Sequence, residues 1–282
     1  MADMMNLQLL FIGGGHMATA LIGGLIEAGL PAKQIRVCDP DDAARQRLTE
    51  TYGVTTLAGI TPQTERLDAL EGVILAVKPQ VLAEVLPDLA AILRPGQWVM
   101  SVVAGARLST LQAGLAEGVA VIRGMPNTPA LIGAGITGLV AGEGVSAGQR
   151  QQAEAIMASV GEVLWFDDEA TLDAVTAVSG SGPAYFFALA EHLTSAAINA
   201  GLTPAQARQL VHQTAAGAGQ MLRRSDLDAA TLRTQVTSPG GTTEAALSVL
   251  DQGQLAALID RAVQSAKDRA GVLSQASNPR TG

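Results

Sequence analysis

Along the first 165 residues, short apolar runs alternate with longer stretches whose apolar positions recur every three to four residues. The runs Leu7–Ile12, Ile35–Cys38, Gly72–Val77, Trp98–Val102, Val119–Arg123, Ile136–Val140 and Val163–Phe166 are apolar almost throughout. That is the pattern of strands covered by helices on both faces. Helix-length stretches such as Met17–Ala28, Asp41–Tyr52, Val81–Leu89 and Gln149–Val160 lie between them. Strand–helix–strand alternation predicts right-handed crossovers and a largely parallel, doubly wound α/β sheet. After Asp167 the β pattern stops, and Thr171–Val178, Pro183–Gly201, Pro204–Arg223, Ala229–Val236, Thr242–Asp251 and Leu255–Leu273 all read as helices. Thr203 before Pro204 and Asp228 before Ala229 are start signals, and Gly201 is a stop. The expectation is an α/β domain over 1–166, an all-α domain over 167–273 and a polar, flexible tail over 274–282.

The helix at Pro183–Ala200 is apolar on more than one side, with Ala-Tyr-Phe-Phe-Ala-Leu-Ala followed by Leu193, Ala196, Ala197 and Ile198. A helix of that kind must be buried, and a bundle of about 110 residues has little room to bury several. Self-association through this half is therefore expected. The 282 residues, 48% hydrophobic and 16% charged, suit two globular domains. A net charge of −8 argues against a nucleic-acid surface, which needs a basic stripe. Cys38 is the one cysteine, so no disulfide forms within the chain, and its apolar neighbours predict a buried, inert thiol. The start lacks a basic residue ahead of its apolar run, unlike a signal peptide. No apolar stretch reaches the roughly 18 residues of a membrane span. The expected setting is cytoplasmic, without membrane contact.

The segment Phe11-Ile12-Gly13-Gly14-Gly15-His16-Met17-Ala18 carries a strand into a helix through three glycines. Gly13, Gly15 and Ala18 fill the G-x-G-x-x-G/A spacing of a dinucleotide-binding turn. Gly13 permits the tight turn, Gly15 admits a pyrophosphate, and Ala18 lets the helix lie close to the strand. The helix start supplies N–H groups and a positive dipole end for phosphates. Coming after the first strand of an alternating pattern, the turn predicts a Rossmann-like domain. The second strand ends at Cys38-Asp39-Pro40-Asp41-Asp42, with Asp39 placed 24 residues after Gly15. An acid there binds a ribose and favours NAD. Arg45 and Arg47 on the following helix are within reach of a 2′-phosphate, and Asp39 or Asp41 alternatively caps that helix.

Other strand ends offer further candidates. Ala76-Val77-Lys78-Pro79 closes one strand, where Lys78 either faces a cofactor or marks a surface corner. Pro126-Asn127-Thr128-Pro129 forms a rigid loop whose amide and hydroxyl suit a nicotinamide or phosphate, or a turn without a ligand. In the helical half, Ser179-Gly180-Ser181-Gly182-Pro183 and Ser238-Pro239-Gly240-Gly241-Thr242-Thr243-Glu244 each open a helix. Their N–H groups beside hydroxyls suit a carboxylate, although capping explains either loop alone.

These runs, in this order, resemble the pyrroline-5-carboxylate reductase family over residues 7–270. The resemblance rests on Ile12–Ala18, Ala76–Gln80, Arg123–Pro129, Ala177–Phe186 and Val236–Ala246. It implies reduction of 1-pyrroline-5-carboxylate to proline, the last step of proline biosynthesis. It further implies NADPH, or NADH as the alternative, held by Gly13, Gly14, Gly15, His16, Met17 and Ala18, with Asp39 near the ribose. The nicotinamide would lie by Ala76, Val77, Lys78, Pro79, Asn127 and Thr128. The substrate would be held by Ser238, Gly240, Gly241, Thr242 and Thr243, with Thr243 reaching the ring nitrogen and Ser181 nearby. A dimer, or a decamer built from dimers, follows from the same resemblance. Asp39-Pro40-Asp41-Asp42 departs from the loop that members often use for the 2′-phosphate, which bears on the cofactor and not on the reaction.

Two other classes fit less well. A 3-hydroxyacid dehydrogenase would use a lysine on a second-domain helix, and the only lysine after Lys78 is Lys267, near the far end. A non-catalytic nucleotide sensor would have no need of both serine/threonine loops. His16 lies in the glycine turn, while His192 and His212 sit in helices, and no Cys/His/carboxylate cluster suggests a metal.

Overall fold

The computed structural model describes residues 7–60 and 70–276. Contacts divide the chain into two compact units, one of residues 1–181 with 266–282 and the other Gly182–Ser265. The division falls after Ser181, where the sequence pattern puts it at 166, and from residue 266 the last helix belongs to the first unit. The expected tail lies mostly outside the described residues.

Among the described residues the first unit has eight strands: β1 (Leu9–Ile12), β2 (Ile35–Cys38), β3 (Thr55–Leu57), β4 (Gly72–Leu75), β5 (Trp98–Ser101), β6 (Ala120–Met125), β7 (Gly135–Ala141) and β8 (Gly161–Trp165). They form one sheet in the order β3-β2-β1-β4-β5-β6-β7-β8. All neighbours are parallel except β6 and β7. Only residues 126–134 join that pair, too few for a crossover helix, so the chain turns straight back. β3 is an addition to the sequence expectation, a three-residue strand at the sheet edge.

The helices of this unit are α1 (His16–Glu27), α2 (Asp42–Tyr52), α3 (Leu82–Ile92), α4 (Leu108–Gly114), α5 (Ala147–Ala158) and α6 (Thr171–Val175). Successive strand residues point to opposite faces. Leu9 and Phe11 pack with residues of α1, α2 and α5, whereas Leu10 and Ile12 pack with residues of α3 and α4. Both faces are thus covered, which is why the central strands are apolar throughout. Trp98 lies against Gly72, where any Cβ would meet its ring, and its indole N–H donates to Gln152 at 2.9 Å.

A charged pair is set into this apolar sheet. Arg123 on β6 is 3% exposed and donates to Glu169 Oε1 at 2.8 Å. The same oxygen accepts the Leu108 N–H at 2.7 Å, fixing the start of α4. The strand is held to the segment that leads into α6 by one carboxylate.

The second unit is helical: α7 (Gly182–Asn199), α8 (Pro204–Arg224), α9 (Ala229–Gln235), α10 (Thr242–Gln252) and the first part of α11 (Leu255–Ala276). Thr203 starts α8 with a reciprocal cap to Gln206, and Asp228 starts α9 by accepting the Thr231 N–H at 2.7 Å. That bond holds the Asp228 carboxyl below its ordinary pKa. Large apolar side chains of α7 are uncovered among the described residues: Phe186 is 68% and Phe187 69% exposed. No helix among the described residues is long and apolar enough to cross a membrane.

Removing Glu169 would leave the Arg123 guanidinium buried without its counter-charge. Glu169→Ala should lower unfolding stability by about 3 kcal/mol, read from the denaturant midpoint. A loss below about 1 kcal/mol would show that water or another group replaces the carboxylate.

Candidate functional site

The end of β1 meets the end of β4 where the strand order reverses, the place at which open α/β sheets bind ligands. Gly13 has φ +97°, and a Cβ there would stand 2.6 Å from the Ala76 carbonyl oxygen. Two hydrogen bonds hold the turn, Gly13 N–H to Cys38 O and Ala76 N–H to Ile12 O, both 2.8 Å. Gly15 precedes α1 without a side-chain cap, and a Cβ on it would meet nothing within 4 Å. Gly15 and His16 are exposed, so the first-turn amides of α1 open onto solvent at the carboxyl edge of the sheet. An anion there is met by N–H groups and the positive helix end.

Asp39 closes one side of this cradle. Its Oδ2 accepts the Gly14 N–H at 2.6 Å and its Oδ1 accepts the Asp41 N–H at 2.8 Å. The cap of α2 is Asp41, which accepts the Ala43 N–H at 3.0 Å. Arg45 donates to the carbonyls of Asp39 and Pro40 and pairs with Asp42 at 2.7 Å. Arg47 donates to the Gly14 carbonyl at 3.0 Å. Arg47 therefore braces the glycine turn, and Arg45 the loop after β2. Ala76 and Val77 are half-buried, and Lys78 and Pro79 are exposed at the head of a short 3-10 turn, Pro79–Val81, that leads into α3.

The loop after β6 is more tightly knit than its composition suggests. Thr128 is exposed at the start of a 3-10 turn, Thr128–Ile132. Asn127 is only 9% exposed, and both polar groups of its side chain are hydrogen-bonded within the first unit. Its Oδ1 accepts the Ile136 N–H at 2.9 Å and its Nδ2 donates to the Ser179 carbonyl at 3.1 Å. The amide that was expected near a nicotinamide is thus bonded on both its groups inside the first unit. Ser179 belongs to a π-helical turn, Thr176–Gly180, which continues α6 and ends at Ser181.

In the second unit, residues 238–241 make a tight turn into α10. Gly240 has φ +70° and donates its N–H to Glu244 at 2.7 Å. Gly241 donates to the Ser238 carbonyl at 2.9 Å and precedes α10 without a side-chain cap. The amides of Gly240 and Gly241, expected on a substrate carboxylate, are thus engaged within the turn. Those free to meet an anion begin at Thr242 and Thr243 in the first turn of α10. Thr243 is half-buried, and Ser238 and Thr242 are exposed.

The structure joins Gly13, Asp39 and Ala76 in one cradle and Asn127 with Ser179 in another contact, both in the first unit. Ser238–Thr243 lie in the second. Among the described residues, no three His, Cys, Asp or Glu side chains come together as a metal site. Cys38 lies buried beneath the cradle, and burial pushes its thiol up to about 11. The engagement of Gly240 by Glu244 escaped the sequence, although a Glu four residues after a glycine in a first helical turn was its signal.

Sheet order and glycine turn together define an α/β dinucleotide-fold protein with a helical second unit. Residues 169–273 match the family model for pyrroline-5-carboxylate reductase dimerisation, and residues 8–105 match one for a coenzyme F420-dependent NADP oxidoreductase. A pyrroline-5-carboxylate reductase of Pseudomonas aeruginosa is 43% identical over 268 residues, covering 95% of this chain and 97% of the relative. One from Pasteurella multocida is 41% identical, covering 93% and 96%. The solved reductase of Coxiella burnetii superposes with a TM-score of 0.89 at 38% identity, covering 95% of this chain and 99% of that one. That of Plasmodium falciparum, solved with NADP bound, gives 0.83 at 25% identity, covering 96% and 99%. The chain belongs to the pyrroline-5-carboxylate reductase family.

The two outer glycines of the turn should separate in their effects. Gly13→Ala meets main chain at a strained φ and should lower the melting temperature by several degrees, at about 1–3 kcal/mol. Gly15→Ala, with open space around it, should melt with the parent; equal loss in both would mean that the cradle is shaped by flexibility alone. Cys38 should resist iodoacetamide at pH 8 in the folded chain and react once the chain is unfolded, followed by intact mass. Rapid labelling of the folded chain would contradict its burial.

Proposed function

We propose that this chain reduces 1-pyrroline-5-carboxylate to L-proline as the last step of proline biosynthesis, with NADPH or NADH as reductant. The observation that carries the reading is the uncapped start of α1 behind Gly13–Gly15, at the switch point of a chain in this family. Gly15 leaves the space a pyrophosphate needs, and the amides of His16 and Met17 supply donors. Ala18, fully buried against the sheet, keeps α1 close to β1. Asp39 stands at the ribose end. Ala76, Val77, Lys78, Pro79 and the exposed Thr128 line the approach proposed for the nicotinamide, with Asn127 supporting that loop from behind.

When bound, the reduced nicotinamide cofactor supplies the hydride, which goes to the C=N carbon while the ring nitrogen keeps its proton and becomes a secondary amine. The protein's part is to hold the acceptor and exclude water. Thr242 and Thr243 meet the substrate carboxylate with their amides, Ser238 stands beside them, and Gly240 and Gly241 shape the turn. The Thr243 hydroxyl orients the ring nitrogen, with Ser181 as the second hydroxyl. An iminium is already electrophilic, so neither needs to be a strong acid.

The cofactor balance lies in the loop after β2. Three carboxylates, Asp39, Asp41 and Asp42, repel a 2′-phosphate, while Arg45 and Arg47 are already engaged on carbonyl oxygens. The exposed apolar side chains of α7 support self-association as a dimer, or as a decamer built from dimers. Light scattering that returned the mass of one chain would overturn that part. A cytoplasmic setting belongs to the same proposal, since Cys38 is kept as a buried thiol.

Purified protein with 1-pyrroline-5-carboxylate should oxidise both NADPH and NADH and form proline, scored by chromatography. No proline from a folded protein that binds cofactor would overturn the reaction. Thr243→Ala should lower kcat about a hundredfold and leave NADPH fluorescence titration unchanged. Asp39→Asn should raise the NADPH-to-NADH ratio of kcat/KM by about tenfold, through loss of a like charge beside the phosphate. An unchanged ratio would take Asp39 out of cofactor choice.

A further inference from the structure

The Asn127 side chain makes a buried bridge between three pieces of the first unit. It lies between Pro126, which ends the β6 exit, and Thr128, which opens the 3-10 turn. Its Oδ1 takes the N–H of Ile136 on β7 at 2.9 Å, and its Nδ2 gives a hydrogen to the carbonyl of Ser179 at 3.1 Å. The orientation of the amide is forced, because an N–H can only donate and a C=O can only accept. A side chain of this length with one acceptor and one donor is required, and among the twenty residues asparagine supplies it.

The partner of that donor is unusual. Ser179 lies in the π-helical turn, where the Ser181 N–H reaches back to the Thr176 carbonyl at 2.8 Å. A π turn is rare and costs hydrogen-bond geometry, and such turns occur most often where a site requires them. This one is held from two sides. Ser179 Oγ donates to the Val175 carbonyl at 2.9 Å within the turn, and Asn127 binds the Ser179 carbonyl from outside. Gly180 lies where a Cβ would come within 2.7 Å of Met125 Cε, so the turn sits directly on the end of β6.

We propose that Asn127 is a positioning residue for the reduction: it locks the π-helical turn to the loop after β6 and so sets the Ser181 hydroxyl and the Thr128 loop in one fixed relation. The inference rests on the functional reading above and deepens it. Asn127 does not touch the reacting atoms; it acts through Ser179 and Thr128. Releasing the lock lets the turn relax towards ordinary α-helical bonding, moving Ser181 while the glycine cradle beside Asp39 stays intact.

The test is Asn127→Asp beside Asn127→Ala, assayed with 1-pyrroline-5-carboxylate from pH 5 to 9. The aspartate keeps the acceptor for Ile136 but sets a carboxylate oxygen against the Ser179 carbonyl. Its kcat should fall about a hundredfold at pH 8, the cost of a displacement near 1 Å. It should recover as the pH drops and the protonated carboxyl donates to Ser179, a rise absent from the parent. The alanine variant should lose kcat to a similar extent with no such recovery, and both should bind NADPH within about threefold of the parent by fluorescence. Should Asn127→Asp fail to fold at pH 8, folding and turnover regained together at pH 5, with Asn127→Ala folded and slow, support the lock. An active parent with parental kcat in both variants, or with an Asp profile that matches the Ala profile, overturns the proposal. An inactive parent instead removes the functional reading, and this inference with it.

Discussion

Where β1 and β4 end side by side, two main chains approach until no side chain fits between them. Gly13 passes the Ala76 carbonyl at a distance that a Cβ would reduce to 2.6 Å, with φ at +97°. The close passage sends the chain out of the sheet and into α1 within three residues. It also leaves the α1 amides at the edge of the sheet, uncapped by any side chain. Asp39 and Arg47, from the neighbouring strand and helix, hold the turn through Gly14 at its N–H and carbonyl respectively. The local order needed for an anion site is therefore the order that closes the fold at this point.

The two helix starts proposed for ligands share one design. In each, a glycine turn takes up the inner amides within the protein and leaves the next ones open. Gly14 gives its N–H to Asp39, and Gly240 gives its own to Glu244. A carboxylate from the protein thus sits beside each anion-facing start. It stiffens the loop and puts a negative charge near the place where the ligand's own negative charge would lie.

Much of this was legible in the chain because the determinants are local. The apolar strand runs, the G-x-G-x-x-A spacing and the Thr203 and Asp228 caps each depend on a few neighbouring residues, and each appears where expected. The elements that were not legible depend on partners far along the chain. Thr55–Leu57 is too short and too exposed to carry a strand pattern, and it pairs only because β2 offers an edge. The π-helical turn is defined by main-chain bonds from Ser181 to Thr176, which no side-chain periodicity records. Asn127 read equally as a ligand-facing amide or as part of a turn without a ligand, and only the positions of Ile136 and Ser179 reveal its internal bonds. Arg123 read as the end of a strand, and nothing nearby announced Glu169 as its counter-ion.

The last helix has a consequence for how the chain comes together. Its final turns belong to the first unit: Leu273 lies against Gly105, Ala270 and Ser274 are buried, and Ser274 reaches the Asp173 carboxylate at 3.4 Å. The helical unit is thus an insertion, and the sheet unit is closed by residues translated after it. The sheet unit therefore cannot be completed until residues beyond the helical unit have been made. The helices of the second unit, with their exposed apolar side chains, are by then already made.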